Sequence, residues 1–242
     1  MLSKSKVKDI QSLAHKKFRD EMGLFLAEGP KIVAELLLEQ KVQVETIYAT
    51  ADWIAANKAL ASLAEIVEIS DIQLSQISQL STPNQVIGVF KKPFAKVPAI
   101  KGQTALALCS LQDPGNLGTI IRIADWFGVK EIVCSEDSAD CFNPKVVQST
   151  MGSIARVNIS YTNLESWLSD QQVKKYATIL DGTDITKSEK IKEGVVIIGN
   201  ESKGIPASIL SLVNEKISIP KKGDAESLNA AVATGIVLSH LI

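Results

Sequence analysis

The chain has 242 residues, 45 % apolar and 22 % charged, which is the make-up of folded protein at a length suited to two domains. No apolar run approaches the ~18–20 residues of a membrane-spanning helix, and Met1-Leu-Ser-Lys-Ser-Lys lacks the apolar core of a signal peptide. The net charge of −1 argues against strong non-specific nucleic-acid binding by the whole chain. The three cysteines, Cys109, Cys134 and Cys141, match no zinc or haem spacing and read as reduced cytosolic thiols. The two histidines, His15 and His240, lie too far apart in sequence to suggest a metal site or a serine triad.

The first hundred residues predict a small α/β unit. Apolar residues at Val7, Ile10, Leu13, Ala14 and Phe18 have a helical period over 7–18. A strand over 24–27, a helix over 30–39 opened by Pro30 and a strand over 44–49 follow. Helices over 55–63 and 71–78 and a strand over 86–90 close the unit. Lys4, Lys6, Lys8, Lys16, Lys17 and Arg19 gather at the N-terminus, and Lys91, Lys92, Lys96 and Lys101 form a second basic group free of acids. Such clusters serve either as solvated faces or as contacts to RNA or DNA. Two prolines and a glycine among those last lysines mark a linker. The expected division is therefore a domain over 1–92, a linker over 93–103 and a second domain over 104–242.

Strand–helix alternation then becomes regular. Residues 104–111 form an apolar run suited to a strand buried on both faces, 118–127 an amphipathic helix and 131–134 a further strand. Segments 144–151, 157–160, 164–170, 176–180, 195–199, 206–212, 216–219 and 227–241 continue the pattern. This is an α/β fold with a parallel sheet covered by helices, whose ligands bind beyond the carboxyl ends of the strands.

Three polar, glycine-containing motifs each follow a strand in this half. The first, Leu111-Gln-Asp-Pro-Gly-Asn-Leu-Gly-Thr-Ile-Ile-Arg122, offers Asn116 as a helix cap, Gly118 for close approach and Arg122 one turn beyond it. The second, Gly199-Asn-Glu-Ser-Lys-Gly204, ends a buried strand and lacks the spacing of a P-loop. Here Glu201 reads by itself as a loop carboxylate capping the helix after Pro206, and Lys203 as solvated. The third runs from Ile217 through Ile219-Pro220 to Ser227-Leu-Asn229, with Ser227 as N-cap of a helix carrying Ala230, Ala231, Ala233 and Gly235. No dinucleotide fingerprint follows any strand, which disfavours an oxidoreductase. Trp53, Trp126 and Trp167 read as packing residues.

In order and spacing, the three motifs resemble the signatures of the SpoU (TrmH-type) RNA 2′-O-ribose methyltransferases of the SPOUT superfamily. N-x-G-x-x-x-R is Asn116, Gly118 and Arg122; G-N-E-x-x-G is Gly199, Asn200, Glu201 and Gly204; the I-P run before S-L-N is Ile219, Pro220, Ser227, Leu228 and Asn229. The likeness runs from about residue 104 to the C-terminus. Residues 25–35 carry a weaker likeness to the L30-like substrate-binding domain that precedes the catalytic domain in many members. The resemblance implies a parallel sheet with a C-terminal trefoil knot, an S-adenosylmethionine cofactor, a homodimer and a structured RNA substrate, with ribosomal RNA preferred over transfer RNA. It assigns catalysis to Arg122, Asn116, Glu201, Ser227 and Asn229, and main-chain cofactor contacts to Gly199, Ile219 and Leu228. Lys221, where members often have an apolar residue, puts a charge near that cofactor site. A catalytically idle RNA-binding protein of the same fold is the main alternative, against which the intact motif residues argue.

Overall fold

A computed structural model describes residues 2–39 and 41–242 of the chain. They divide into two compact units, Met1–Phe94 with Asp140–Arg156, and Ala95–Ala139 with Val157–Ile242. In the first, helix α1 (Lys4–Ser12) begins where the Ser3 hydroxyl accepts the Lys6 N–H, and α2 (Lys16–Met22) ends on Gly23 at φ 65°. The sequence predicts one helix here. It breaks because the Arg19 guanidinium takes the carbonyls of Leu13 and Ala14 at 2.8 and 2.9 Å.

Strand β1 (Leu24–Glu28), helix α3 (Pro30–Glu39) and strand β2 (Val44–Ala49) follow as expected. The helix expected over 55–63 is instead two, α4 (Ala51–Ala56) and α5 (Lys58–Ala61). At the break, the Asn57 side chain donates to the Trp53 carbonyl. Then come β3 (Ile66–Glu68), α6 (Asp71–Ile77) with a Ser70/Gln73 capping box, and β4 (Val86–Lys91). The sheet order is β1-β4-β2-β3, with only the β2–β3 pair parallel. Ile10, Leu13, Leu26, Tyr48, Leu74 and Ile87 fill one core of this unit.

The second unit opens with β5 (Thr104–Leu108), α7 (Pro114–Trp126) and β6 (Glu131–Ser135). The chain then supplies the first unit with residues 140–156, which contain α8 (Pro144–Thr150). Within that unit, Asp140 pairs with Arg19 at 2.6 Å and Arg156 with Glu35 at 2.7 Å. The Phe142 ring lies 4.8 Å from that of Phe25. Gly152, at φ 98°, lies so close to Glu35 that a Cβ there would stand 2.6 Å from the Glu35 Cβ.

Back in the second unit, β7 (Asn158–Thr162), α9 (Leu164–Asp170), β8 (Lys175–Asp184) and β9 (Gly194–Ile198) continue the alternation. Helix α10 (Ala207–Leu210), β10 (Glu215–Ser218) and α11 (Ala230–Leu241) complete it. All six strands are parallel in the order β10-β8-β9-β5-β6-β7, the sheet that the Val/Ile-rich runs predict. Central strands β9, β5 and β6 are in register at their carboxyl ends, Ile198 beside Leu108 and Leu108 beside Cys134. The loops leaving β5 and β9 therefore start side by side on one edge of the sheet. Helix α11 packs on α7, where Gly235 leaves room for Ile123. No described helix is long and apolar enough to cross a membrane.

Candidate active site

Asp113, rather than Asn116, caps α7: its carboxylate accepts the Asn116 N–H at 2.7 Å, and Pro114 occupies the first turn. The Asn116 side chain is thereby released for a longer reach. Its Nδ2 donates to Glu201 Oε1 at 2.7 Å, joining the first motif to the second. Its Oδ1 accepts from Asn229 Nδ2 at 2.8 Å, joining the first to the third. Asn229, not Ser227, caps α11, its Oδ1 accepting from the Ala231 and Val232 N–H groups at 3.0 and 3.3 Å.

Chemistry dictates the direction of every link in this chain. A carboxylate only accepts, so Asn116 must turn its NH₂ to Glu201 and its oxygen to Asn229. Asn229 must then present its NH₂ to Asn116, which leaves its oxygen for the helix N-terminus, where acceptors are wanted. The second oxygen of Glu201 has no hydrogen-bond partner among the described residues, so a ligand can use it. Glu201 does not cap the helix after Pro206, which has no side-chain cap bond.

A second network holds the loop after β9 and centres on Asn200, to which the motif alone assigns no role. Its Oδ1 accepts from the N–H groups of Ser202 and Lys203, both at 2.9 Å, while its Nδ2 donates to the Ser110 carbonyl at 2.7 Å. Paired backbone bonds between Asn200 and Gly204 close the turn. Gly204 takes φ 68°, and a Cβ on Gly199 would lie 2.7 Å from the Gly204 carbonyl carbon, so both glycines are required by the turn itself. Signals for this were present in the sequence: asparagine opening a turn that closes on glycine.

Ser110 adopts φ 51°, uncommon for a residue with a side chain, and donates its N–H to Ser135 Oγ at 2.7 Å. Hydrogen bonds from Ser110 and Ser135 hold the Asp137 carboxyl below the usual range. Neighbouring Cys109 is buried, and burial, reinforced by the charge of Asp137, pushes its thiol up to about 12. That makes it a packing residue and not a nucleophile.

The remaining predicted residues are placed less tightly. Gly118 is buried in α7, while Arg122 on the same helix is exposed and makes no hydrogen bond or ion pair among the described residues. The structure therefore joins Asn116, Glu201 and Asn229 but does not bring Arg122 into their cluster. Ser227 is exposed, as is Lys221. Ile219 is half-buried, and Leu228 is 47 % exposed. Among the described residues, no hydrogen bond ties positions 219–228 to the rest of the unit, so their main-chain groups are open to a ligand. Trp126 corrects an expectation: Trp53 and Trp167 are buried, but Trp126 is 85 % exposed, one helical turn from Arg122.

Comparison with known proteins agrees with this geometry. Residues 103–239 match the SpoU rRNA methylase family, and residues 4–88 match the MRM3-like substrate binding domain. The 23S rRNA (guanosine(2553)-2′-O)-methyltransferase RlmP of Bacillus subtilis is 32 % identical over 98 % of this chain and 95 % of its own length. Among solved structures, a putative TrmH-family RNA methyltransferase of Porphyromonas gingivalis superposes with TM-score 0.89 at 34 % identity, covering 99 % of this chain and 98 % of that one. An AdoMet-bound rRNA methyltransferase of Sinorhizobium meliloti superposes with TM-score 0.88 at 33 % identity, covering 99 % and 95 %. With its three strand-end motifs on one edge of a parallel sheet, the chain belongs to the SpoU rRNA methylase family.

Proposed function

We propose that the chain transfers a methyl group from S-adenosylmethionine to a ribose 2′-hydroxyl of ribosomal RNA. The observation that carries this reading is the directed chain from Asn229 through Asn116 to Glu201, which ties the three strand-end motifs together. The Bacillus subtilis relative is named for 23S rRNA, and the Sinorhizobium meliloti structure holds AdoMet. The loop over 219–228 fits that cofactor. Its unbonded main-chain groups suit the polar edges of the nucleoside, and exposed Leu228 gives the adenine an apolar surface. Gly199, Ile219 and Leu228 would hold it, and the cofactor would supply an activated methyl group.

The chain's own residues then act on the RNA. A guanidinium stays protonated at any working pH, so Arg122 would bind phosphate and stabilise the alkoxide that develops on the 2′-oxygen. Asn116 and Asn229 fix the Glu201 carboxylate, whose open oxygen can accept the substrate hydroxyl, and Ser227 adds a hydroxyl to the same loop edge. Alignment of hydroxyl and methyl donor supplies the larger share of catalysis.

Arg122 serves a partner subunit in this proposal, which assigns the enzyme a homodimer. Trp126, beside Arg122, and Val232 on α11, 53 % exposed, offer the apolar surface. Ala230 and Ala231 of the same helix are buried within the subunit and add nothing to that surface. A C-terminal trefoil knot also belongs to this reading. Supporting it, the Ile191 N–H donates to the Leu241 carbonyl at 2.7 Å, and Gly182 lies against the Ile217 backbone. The enzyme would work in the cytoplasm, where ribosomal RNA is matured.

Mapping 2′-O-methyl groups in total RNA from cells with and without the protein tests the reaction. One ribosomal position should gain a methyl; a gain confined to transfer RNA, or none, overturns the reading. For the dimer, chains carrying Arg122→Ala mixed with chains carrying Asn229→Ala should recover part of the lost activity. No recovery, together with a monomer by light scattering, would remove the shared site.

A further inference from the structure

The first unit contains a cavity of about 440 Å³ that shares no residue with the motif cluster. Leu26 and Leu80 contribute apolar wall, and Glu28, Gln79, Lys145 and Gln148 contribute polar groups. A volume of this order is ordinary for a small-molecule site, and the lining here mixes apolar residues with a larger share of polar ones. A nucleobase has the matching form, two apolar faces and a polar edge, and proteins read RNA sequence by taking unpaired bases into such pockets.

Its polar groups are specific. Glu28 ends β1 and is only 5 % exposed. One of its oxygens accepts the Gln79 N–H at 2.8 Å and the other accepts the Ser78 hydroxyl. Each oxygen keeps a further lone pair, so the carboxylate can accept two more donors side by side. Among the four unmodified RNA bases, only guanine presents two N–H donors on adjacent atoms of its Watson–Crick edge. The Gln148 amide and the Lys145 ammonium have no hydrogen-bond partner among the described residues; they are open to the base's carbonyl oxygen and to a backbone phosphate.

We propose that this cavity binds an unpaired guanine of the RNA substrate, at a nucleotide other than the one methylated, with the Glu28 carboxylate reading its donor edge. The inference rests on the proposed RNA methyltransferase function and adds to it a site that selects the substrate. It also gives the 140–156 segment a role, since Lys145 and Gln148 come from it while Glu28 and Gln79 come from the N-terminal part of the chain.

The test uses the full chain and large-subunit ribosomal RNA transcribed in vitro with 6-thioguanosine. Irradiation should cross-link the RNA to residues 79–81 or 145–149. Ser81→Trp fills the rim from an exposed loop position and leaves the core untouched; it should weaken RNA binding about tenfold to a hundredfold, the scale of one stacked base. Glu28→Gln, which loses one acceptor, should weaken it about tenfold. Neither variant should change S-adenosylmethionine affinity measured by calorimetry. A Ser81→Trp chain that binds and cross-links RNA like the wild type, while the wild type methylates it, overturns the guanine site alone. Guanosine monophosphate that binds the wild type, and is excluded by Ser81→Trp without any loss of RNA binding, makes the cavity a free-nucleotide site and likewise overturns the proposal. A wild type that methylates no RNA overturns the enzymatic reading, and this site with it.

Discussion

Arg19 in the first unit and Arg122 in the second show two opposite uses of one side chain. Arg19 is 1 % exposed; it donates to Asp140 and to the carbonyls of Leu13 and Ala14, and these bonds shape the chain around it. Arg122 is exposed and unengaged on α7, so the fold does not need its charge. A buried guanidinium is costly to desolvate and must have all its bonds at home. An exposed one costs the fold nothing and keeps its bonds for a ligand. The first unit thus uses an arginine to hold structure, where the second leaves one exposed for the chemistry proposed above.

Removing Arg19 tests the structural half of that contrast and should have the largest effect. Arg19→Met would leave Asp140 without its partner and two carbonyls without donors, a loss of about 3–5 kcal/mol in chemical denaturation. Methyl transfer per folded molecule should survive at low temperature. A melt unchanged from wild type would show that the ion pair is not holding α2 against the 140–156 segment.

Arg122→Ala tests the other half. Turnover should fall about a hundredfold to a thousandfold, as when one transition-state donor is removed, while stability stays within about 0.5 kcal/mol. S-adenosylmethionine affinity should hold. If cofactor binding collapses and turnover at saturating cofactor does not, Arg122 belongs to the cofactor site and the contrast is misdrawn.

Asn229 stands between the two, because it caps a helix and also donates to Asn116. Asn229→Ala should cost about 1 kcal/mol as a lost cap and lower activity as well. Asn229→Asp separates the two: an aspartate still caps α11 but cannot donate to Asn116, whose oxygen faces it. Stability should therefore remain near wild type while turnover drops about tenfold, an effect of the size of one hydrogen bond. Equal activity in Asn229→Asp and the wild type would mean the link to Asn116 is incidental.

The parallel sheet and all three motifs were legible in the sequence because each is a local pattern: Val/Ile runs, a turn, a helix start. What escaped depends on which of two good partners a side chain meets. Asn116 and Ser227 are both capable caps, yet Asp113 and Asn229 take those positions. Asn116 has a carboxylate waiting 85 residues later, which helix statistics do not contain. The grouping of 140–156 with the first unit is hidden for the same reason, since Arg19 and Asp140 are 121 residues apart. Trp126 has the periodic spacing of its amphipathic helix, and only the fold shows that its side is uncovered.

Two carboxylates sharpen the comparison through pH, with the smallest effects of the set. Burial pushes the Glu28 carboxyl above the usual range, outweighing its bonds from Ser78 and Gln79. The native state thus binds that proton more tightly than the unfolded chain, so its contribution to stability is present at low pH and is lost as pH rises through the raised value. Asp137 is the reverse: hydrogen bonds from Ser110 and Ser135 lower it, so its contribution is present above the ordinary aspartate value and is lost as pH falls through the lowered one. Melting wild type against Glu28→Gln between about pH 4 and 7 should show the wild type losing ground as pH rises. Against Asp137→Asn, between about pH 2 and 5, the wild type should gain ground as pH rises. Two difference curves of the same sign would show that the carboxylates of the two units are not held in opposite ways.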